Sequence, residues 1–296
     1  MNCQRPVDAN SLLVSEETLA LLASRDFHSY PPVPQRELLQ FRSLRSRLAR
    51  VSDAGLDIDC MQSEQFAGAA LLSFQKSKVV VSRCEYDLEV NDSLMARIGP
   101  NLRSDLAWYV TNATAGDPRV RSLPLGLNDF CNYSAFHRFT GNTDYIAHIR
   151  EISRNTMREK ALLCFSDETA PANRSPARQA LGGADFVREL ALEKTANGYQ
   201  RYLLALAQSQ FCVCPRGAGI DTHRFWEALY LGCIPIILQG DALGCQRGLP
   251  ALAVKSWEEL LAMNLAERAQ EIRANTYDLR PLAISFWVRE AQLSAL

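Results

Sequence analysis

The segment Phe211–Leu238 constrains the fold more than any other part of the chain. It starts with a short apolar run, Phe211–Cys214, and continues through a turn with two glycines at Pro215–Gly219. Helical spacing follows over Arg224–Leu231, and a second apolar run of strand length lies at Ile234–Leu238. This order predicts a βαβ unit, whose two strands are parallel members of one sheet.

Further runs of strand length extend the α/β pattern along the chain, separated by stretches with helical periodicity. The other predicted strands are Lys78–Arg83, Ala107–Thr111, Val120–Leu125 and Ala161–Phe165. The predicted helices include Arg36–Arg50, Tyr199–Gln208, Trp257–Ala262, Leu265–Asn275 and Leu282–Leu293. The stretch Asp167–Arg178 is rich in Pro, Asn and Arg, and it is predicted to be a loop.

The length of the chain suits one large domain or two of ordinary size, since it has 296 residues of which 47% are hydrophobic. The polar and aromatic region Asn128–Asn155 has weak periodicity, and we place a domain junction within it. We therefore predict an N-terminal domain over residues 1–150, a C-terminal domain over residues 151–275 and a last helical segment over residues 276–296.

Charge and hydropathy argue against several classes of protein. Lys plus Arg (32) nearly balances Asp plus Glu (33), and the formal charge of -1 disfavours a nucleic-acid partner. No apolar run approaches the roughly 18 to 20 residues that cross a bilayer, and Met1–Leu22 lacks the pattern of a secretory signal. We expect a cytoplasmic protein if the chain is complete, and a Golgi-lumenal one if it is an excised domain.

Two patterns that could hold a metal are weak. The nine cysteines are odd in number and scattered, and Cys212 and Cys214 alternate with apolar residues as in a strand, so buried free thiols are expected. Asp57-Ile-Asp59 matches the D-x-D pair of metal-dependent glycosyltransferases, but about one such triplet is expected by chance among 16 aspartates. We predict no metal site.

The glycine turn and the helix after it predict an anion site. Gly217 and Gly219 permit a positive φ and a close backbone approach, and the N–H groups of the first helical turn point out of the carboxyl edge of the sheet. Arg216 adds a forked cation that suits phosphate oxygens. The third glycine of the dinucleotide fingerprint and the Gly-Lys-Ser/Thr of a Walker loop are both missing, so the residues alone predict phosphate binding and no reaction.

Polar residues cluster where this helix begins. Asp221 or Thr222 can cap the helix, and His223, Arg224 and Glu227 share its first turns. Arg224 and Glu227 are three positions apart and lie on one face. Glu227 either accepts hydrogen bonds from the two vicinal hydroxyls of a ribose or forms an ion pair with Arg224.

The stretch Ser209–Ile236 closely resembles the exostosin-like glycosyltransferases, which include bacterial and large-DNA-virus members. The family pattern is a strand, then Pro-Arg-Gly-x-Gly-x-Asp-x-x-Arg-x-x-Glu-Ala-Leu, then Gly-x-Ile-Pro, and the chain meets each of these positions. Asn173, Arg174 and Arg178 are similar to the Asn/Arg-rich loop that precedes the donor site, and Val120–Leu127 is similar to the interdomain strand. The resemblance covers about half of the chain, mostly in the C-terminal domain.

The resemblance implies an α/β fold of GT-B architecture, in which two Rossmann-like domains face each other across a cleft. We also expect the C-terminal helices to cross back to the first domain. The implied reaction is an inverting, metal-independent transfer, without a cofactor, from a nucleotide diphosphate sugar to a glycan hydroxyl. A UDP sugar is the family default, with xylose, galactose and glucuronic acid open, and a GDP-fucose-dependent fucosyltransferase is the alternative. The oligomeric state is left open.

Residue roles follow from this resemblance. The expected donor-binding residues are Arg216, Gly217, Gly219, Asp221, Thr222, His223, Arg224, Glu227, Asn173, Arg174 and Arg178. Arg216, Arg174 and Arg178 would stabilise the leaving diphosphate. Asp221, His223 and Arg224 would shape the subsite for the sugar and phosphate, and Glu227 would hold the ribose. Inversion also requires a base for the acceptor proton. Asp87 and Glu85 follow the predicted strand that ends at Arg83, so they lie at a carboxyl edge and are the candidates.

Two other functions are compatible with parts of the pattern. A non-catalytic module that binds a sugar nucleotide or a glycan would keep the glycine turn and lack a base. A dinucleotide-dependent oxidoreductase would also use a glycine turn after a strand, but the incomplete fingerprint disfavours it.

Overall fold

The computed structural model describes residues 16–23, 25–27, 33–61, 74–83, 89–129 and 138–296. Within these ranges the chain forms two parallel sheets, one of four strands and one of five, with helices packed around them. The prediction of an α/β fold is confirmed, and two parallel sheets fit an architecture of two domains. The boundaries of the domains stay predictions.

The N-terminal sheet is parallel throughout and comes from the first half of the chain. Its order is β2 (Ile58–Met61), β3 (Val79–Ser82), β4 (Ala107–Val110) and β5 (Val120–Ser122). All residues of β3 and β4 are buried. This explains their unbroken apolar sequences, because helices and loops cover both faces of the sheet.

Helices lie on both sides of the N-terminal sheet. On one side, α2 (Phe41–Asp53) packs against β2 and against the last helix of the chain. On the other side, Met95 of α3 (Asp92–Ile98) joins a buried cluster with Val80 and Trp108. The expected helix from Arg36 starts only at Phe41.

The C-terminal sheet contains the predicted βαβ unit. Its order is β10 (Leu252–Val254), β9 (Ile234–Leu238), β8 (Ser209–Val213), β6 (Glu159–Leu163) and β7 (Val187–Glu189), all parallel. From β6 the chain adds β7 on one side, and it then returns to add β8, β9 and β10 on the other side. The order of strands therefore reverses between β6 and β8, and such a switch point is where open α/β sheets bind ligands.

Helices connect and cover the C-terminal sheet. They are α4 (Thr143–Ile152), α5 (Pro171–Leu181), α6 (Ala196–Ala207), α7 (His223–Tyr230) and α8 (Leu265–Ala274). Helix α7 joins β8 to β9, as the sequence predicts, and α4 packs on α6 and α7. The strands predicted in both sheets are confirmed with ends that differ by at most three residues, whereas β2, β7 and β10 were not predicted.

The prediction of a loop at Asp167–Arg178 is wrong. Only Asp167–Thr169 forms a short 3-10 turn, and α5 follows directly. Pro171 occupies the start of α5, where its missing N–H costs no hydrogen bond, and Ala177 and Leu181 bury one face of the helix. Pro171 and Pro176 suggested a loop, but tertiary burial favours the helix.

The last helix, α9 (Ile284–Ala295), lies on the N-terminal sheet. The hydroxyl of Tyr109 in β4 donates to the carbonyl of Glu290 at 3.0 Å, and Lys78 Nζ donates to the carbonyl of Ala295 at 3.2 Å. A short antiparallel pair, β1 (Arg25–Asp26) with β11 (Thr276–Tyr277), precedes this helix in the chain. The end of the chain thus contacts elements from its first half.

Within the described ranges, no helix has the length and apolar character needed to traverse a bilayer. The same residues hold no group of three or more His, Cys, Asp or Glu side chains arranged for a metal ion. Asp57 instead accepts a hydrogen bond from the backbone N–H of Lys78 at 2.9 Å, which ties the start of β2 to β3.

Candidate functional site

The site lies at the turn Pro215–Gly219, where β8 ends and α7 begins. This turn leaves the carboxyl end of β8 beside the switch point with β6. Its side chains and those of α5 meet there, because α5 starts shortly after β6 ends at the same edge of the sheet.

Gly217 and Gly219 are needed for close approach, and neither has a positive φ. A Cβ at Gly217 would lie 2.8 Å from a guanidinium nitrogen of Arg174, and one at Gly219 would lie 2.7 Å from the side-chain amide of Asn112. Asn112 follows β4 of the N-terminal sheet, and its Oδ1 accepts the N–H of Asp221 at 2.9 Å. The turn therefore contacts the N-terminal sheet directly, through a residue that the sequence did not point to.

Arg174 reaches the turn from α5, and Arg178 lies one helical turn further along the same helix. Arg174 is buried, and it donates to the carbonyls of Ser166 at 2.8 Å and of Arg216 at 3.4 Å. Burial, with the nearby Arg224 cation, lowers the pKa of Arg174 to about 10. Such a guanidinium sits in a positive field that a bound anion would neutralise.

Two of the arginines pack against the buried aromatic ring of Phe165. The Arg178 guanidinium lies 4.8 Å from the centroid of this ring and the Arg224 guanidinium 5.5 Å from it. Arg178 also donates to Asp167 at 2.8 Å and to the carbonyl of Phe165 at 2.7 Å. The Nε of Arg224 is buried without a hydrogen-bond partner in the described structure.

Two of the four arginines near the turn are not neutralised by an ion pair with any described residue. Among the described residues no carboxylate forms an ion pair with Arg174 or Arg224. Asn173 is half-buried and directly precedes Arg174 on α5. The structure thus brings the expected arginines of α5, the turn and α7 to one edge of the sheet, an arrangement suited to a multiply charged anion.

Arg216 lies between two carboxylates that the sequence did not single out. Its Nη2 donates to Glu89 Oε1, and its Nη1 lies 3.7 Å from Asp241 Oδ1. The Arg216 side chain is 25% exposed, and its Nε has no hydrogen-bond partner in the described ranges. Asp241 follows β9, so the rule that ligands gather at carboxyl ends of strands could have found it.

Asp221 is buried and ties parts of the fold together. Its carboxylate accepts hydrogen bonds from the backbone N–H groups of Leu125 and Thr222, both at 2.8 Å. It also accepts from Trp226 Nε1 at 3.0 Å and Gln246 Nε2 at 2.9 Å. Thr222 takes the N-cap position of α7, yet its side chain makes no capping hydrogen bond. Asp221 thus links the connection after β5 to the start of α7.

We expect Asp221 to make stability depend on pH. Burial raises its pKa to about 6, although its N–H donors favour the carboxylate. Between about pH 4 and pH 6 the native carboxyl binds more protons than the unfolded one, so the free energy of unfolding falls as pH rises. Urea unfolding of the wild type and of Asp221→Asn should show a stability difference that shrinks by up to about 3 kcal/mol over this range. A difference that stays constant or grows with pH would contradict this.

At the start of α7, His223 is half-buried, whereas Glu227 is buried. His223 Nδ1 lies 2.7 Å from the carbonyl of Gly126, in the connection after β5. Glu227 is buried, and its two oxygens accept hydrogen bonds from Tyr199 at 2.7 Å and from Tyr202 at 2.8 Å. Burial raises the pKa of Glu227. The two tyrosines, rather than an ion pair with Arg224, are its hydrogen-bond partners.

Other expected groups are placed as follows. Asp87 and Glu85, the expected base candidates, lie outside the described residues. The described cysteines are unpaired, and five of them are buried: Cys164, Cys212, Cys214, Cys233 and Cys245. Burial raises the pKa of the Cys164 thiol to about 12, which makes it a poor nucleophile. The expectation of buried free thiols is confirmed for these five.

Comparison with known proteins matches this part of the chain to a protein family. Residues 133–250 match the family described as the Exostosin GT47 domain. Ribitol-5-phosphate xylosyltransferase 1 of Danio rerio is 27% identical over 97 residues, which are 28% of this chain and 22% of that protein. A probable glycosyltransferase of Arabidopsis thaliana is 27% identical over 78 residues, 26% of this chain and 16% of that protein.

A third relative is similar to a segment of comparable length. A probable glucuronosyltransferase of Oryza sativa subsp. japonica is 34% identical over 70 residues, 24% of this chain and 15% of that protein. The chain matches about a fifth or less of the length of each of these relatives. The matched domain contains the glycine turn, the arginines of α5 and α7, and both strands of the βαβ unit. Residues 133–250 therefore match the Exostosin GT47 domain, and over this part the chain is similar to exostosin-like glycosyltransferases.

Proposed function

We propose that the protein transfers a sugar, with inversion and without a metal, from a nucleotide diphosphate donor to a hydroxyl group of a glycan. The observation that carries this proposal is the grouping of four arginines at the carboxyl edge of the C-terminal sheet, where Arg174 donates to the carbonyl of Arg216, and Arg178 and Arg224 pack on Phe165. A diphosphate is an anion with enough charge and oxygen atoms to engage several guanidinium groups.

The arginines have a direct role in such a reaction. When the bond between the anomeric carbon and the phosphate oxygen breaks, negative charge develops on the leaving diphosphate. Fixed guanidinium groups can stabilise that charge without reorganising, whereas the backbone N–H groups of Gly217, Asp221 and Thr222 already donate within the protein. Arg216 and Arg174 bind the diphosphate in this proposal, and Arg178 with Phe165 supports the wall of the site.

The remaining site residues have supporting roles in the proposal. Gly217 and Gly219 let Arg174 and Asn112 approach the turn. Asp221, Thr222 and His223 hold the start of α7 against the connection after β5. The expected contact of Glu227 with the ribose requires the donor to reach a carboxylate that is buried against Tyr199 and Tyr202. Asn173 borders the diphosphate in this proposal.

The names of the relatives favour a particular donor class. The zebrafish relative is named a xylosyltransferase, and the rice relative is named a probable glucuronosyltransferase. Xylose and glucuronic acid share the ring and the configuration of their hydroxyl groups, so a pocket with room for the extra carboxyl group of glucuronic acid can accept both. UDP-xylose and UDP-glucuronate are therefore the donors to test first.

Calorimetric titration and a transfer assay test the function together. We expect UDP to bind more tightly than UMP, because the second phosphate engages the arginines, and one UDP sugar to be transferred or hydrolysed. GDP-fucose and NAD belong in the same titration as competing ligands. Binding of a nucleotide sugar without turnover would support a binding module, and the absence of any nucleotide binding would contradict the proposal.

We expect activity to survive removal of divalent cations. In this proposal the guanidinium groups neutralise the diphosphate, the task that a metal ion performs in other transferases. Initial rates measured with excess EDTA and with added Mn²⁺ should agree within about twofold. A rate that collapses in EDTA and returns with Mn²⁺ would contradict this, and the variants Asp57→Asn and Asp59→Asn would then show whether that pair binds the ion.

A further inference from the structure

Glu89 is a carboxylate of the N-terminal half that reaches the glycine turn. Its side chain pairs with Arg216, although the two residues are 127 positions apart in sequence. The backbone next to it is fixed, because Val90 N–H donates to the carbonyl of Asn112 at 3.1 Å, and the Val90 carbonyl accepts from Thr114 at 2.9 Å. Glu89 is therefore anchored beside β4 and points across to the C-terminal sheet.

The ion pair between Glu89 and Arg216 competes with the anion that the turn is built to bind. The Arg216 Nε has no partner in the described ranges, so a phosphate can bind there, and it displaces Glu89 when a second phosphate oxygen takes the Nη2 donor. Glu89 is 27% exposed, so it has room to move when its partner is taken. Donor binding would thus release a carboxylate next to the reacting carbon.

We propose that Glu89 is the catalytic base of the transfer, held by Arg216 until the donor binds. This rests on the function proposed above. In the step, the acceptor O–H loses its proton to Glu89, and the acceptor oxygen forms a bond to the anomeric carbon. The bond from that carbon to the phosphate oxygen breaks, its electron pair stays on the diphosphate, and Glu89 later returns the proton to solvent.

The position of Glu89 suits inversion better than that of Asp241, the other carboxylate at Arg216. An inverting nucleophile approaches on the side opposite the leaving group, so the base must come from the wall that faces the diphosphate site. Glu89 is held beside β4 of the N-terminal sheet, whereas Asp241 follows β9 in the same sheet as the glycine turn. Burial raises the pKa of Asp241, and we assign it to holding Arg216.

The deciding experiment compares Glu89→Gln with Asp241→Asn. Both changes remove a carboxylate from Arg216, so neither should weaken UDP binding measured by calorimetry. Glu89→Gln should lower kcat at least about 100-fold, because general-base catalysis contributes roughly 10²- to 10⁴-fold. Glu89→Asp should recover part of this loss, and Glu151→Gln, which alters an exposed ion pair with Arg154, should match the wild type.

The pH profile separates a base from a residue that only positions Arg216. The charged groups that face Glu89 in the described structure are Arg216 and Asp241. If Glu89 is the base, kcat of the wild type and of Asp241→Asn falls at low pH, because the Glu89 carboxylate gains a proton. The residual kcat of Glu89→Gln should not show this fall at low pH. The proposal is overturned if Glu89→Gln binds UDP more weakly but keeps the wild-type kcat and the fall of kcat at low pH.

Two further results keep this inference separate from the proposed function. If the wild type neither binds UDP nor turns over a nucleotide sugar, the proposed function fails. If the wild type is active and Glu85→Gln or Asp87→Asn abolishes kcat while Glu89→Gln does not, only the assignment of Glu89 fails. Thermal unfolding of each variant, with a Tm close to that of the wild type, shows that a loss of rate does not come from unfolding.

Discussion

Replacing Glu227 by alanine is expected to lower the free energy of unfolding by about 3 to 5 kcal/mol. The carboxylate accepts hydrogen bonds from Tyr199 and Tyr202, and each bond to a charged group contributes about 1.5 to 3 kcal/mol. Both hydroxyls lie in the core, where an unsatisfied donor adds its own desolvation cost. Urea unfolding followed by circular dichroism measures the loss.

Two matched variants divide this effect into its parts. Tyr202→Phe removes one hydrogen bond and should lose about half as much stability as Glu227→Ala. Glu227→Gln keeps the shape, and a rotated tyrosine hydroxyl can accept from the new amide, so its loss should be the smallest of the three. A Glu227→Ala protein within about 1 kcal/mol of the wild type would show that the carboxylate does not hold α6 and α7 together.

These variants also test the second role expected of Glu227, which is to bind a ribose. Glu227→Gln is the informative change, because the protein should remain folded at the temperature of the titration. A weaker affinity for UDP at unchanged Tm would support contact with the ribose. An unchanged affinity would leave Glu227 with the structural role alone.

Replacing Arg216 by alanine is expected to weaken UDP binding about 10- to 150-fold. The estimate follows from the loss of hydrogen bonds to a charged ligand, worth about 1.5 to 3 kcal/mol, where about 1.4 kcal/mol is one factor of ten in affinity. The side chain lies on a turn and is partly exposed, so we expect the fold to persist. Calorimetric titration with UDP and thermal unfolding measure the two effects.

Arg216→Lys and Arg247→Ala are the controls for this prediction. Lysine keeps the charge but cannot form a two-point contact with phosphate, so its affinity should lie between those of the wild type and Arg216→Ala. Arg247 is exposed and away from the glycine turn in sequence, and its replacement should leave affinity unchanged. Wild-type affinity in Arg216→Ala would place the diphosphate elsewhere.

The sequence predicts the parts of the site that depend on short-range order. A strand, a glycine turn and a helix follow one another within Ser209–Tyr230, and local propensity determines each of them. The gathering of Arg174 and Arg216 at one edge then follows from the parallel sheet, because carboxyl ends of parallel strands lie together. Only the helical state of α5 was missed, because its two prolines suggest a loop.

The contacts that join distant segments could not be predicted in this way. Glu89 and Arg216 are 127 positions apart in sequence, and no periodicity encodes their contact. Asn112 against Gly219 is a contact of the same kind. Asp221 illustrates the difficulty, since a helix-capping pattern predicted its position, whereas its donors Leu125 and Gln246 come from elements far away in sequence.

The return of α9 to the N-terminal sheet restricts how the two sheets can move. In the described ranges the chain passes to the C-terminal sheet after β5 and returns to the N-terminal sheet at α9, so a relative rotation of the two sheets would bend both connections. Tyr230 lies at the end of α7, where its hydroxyl accepts from the N–H of Leu39 and donates to the carbonyl of Leu282. Such a rotation would therefore pull directly on the helix that begins at the glycine turn.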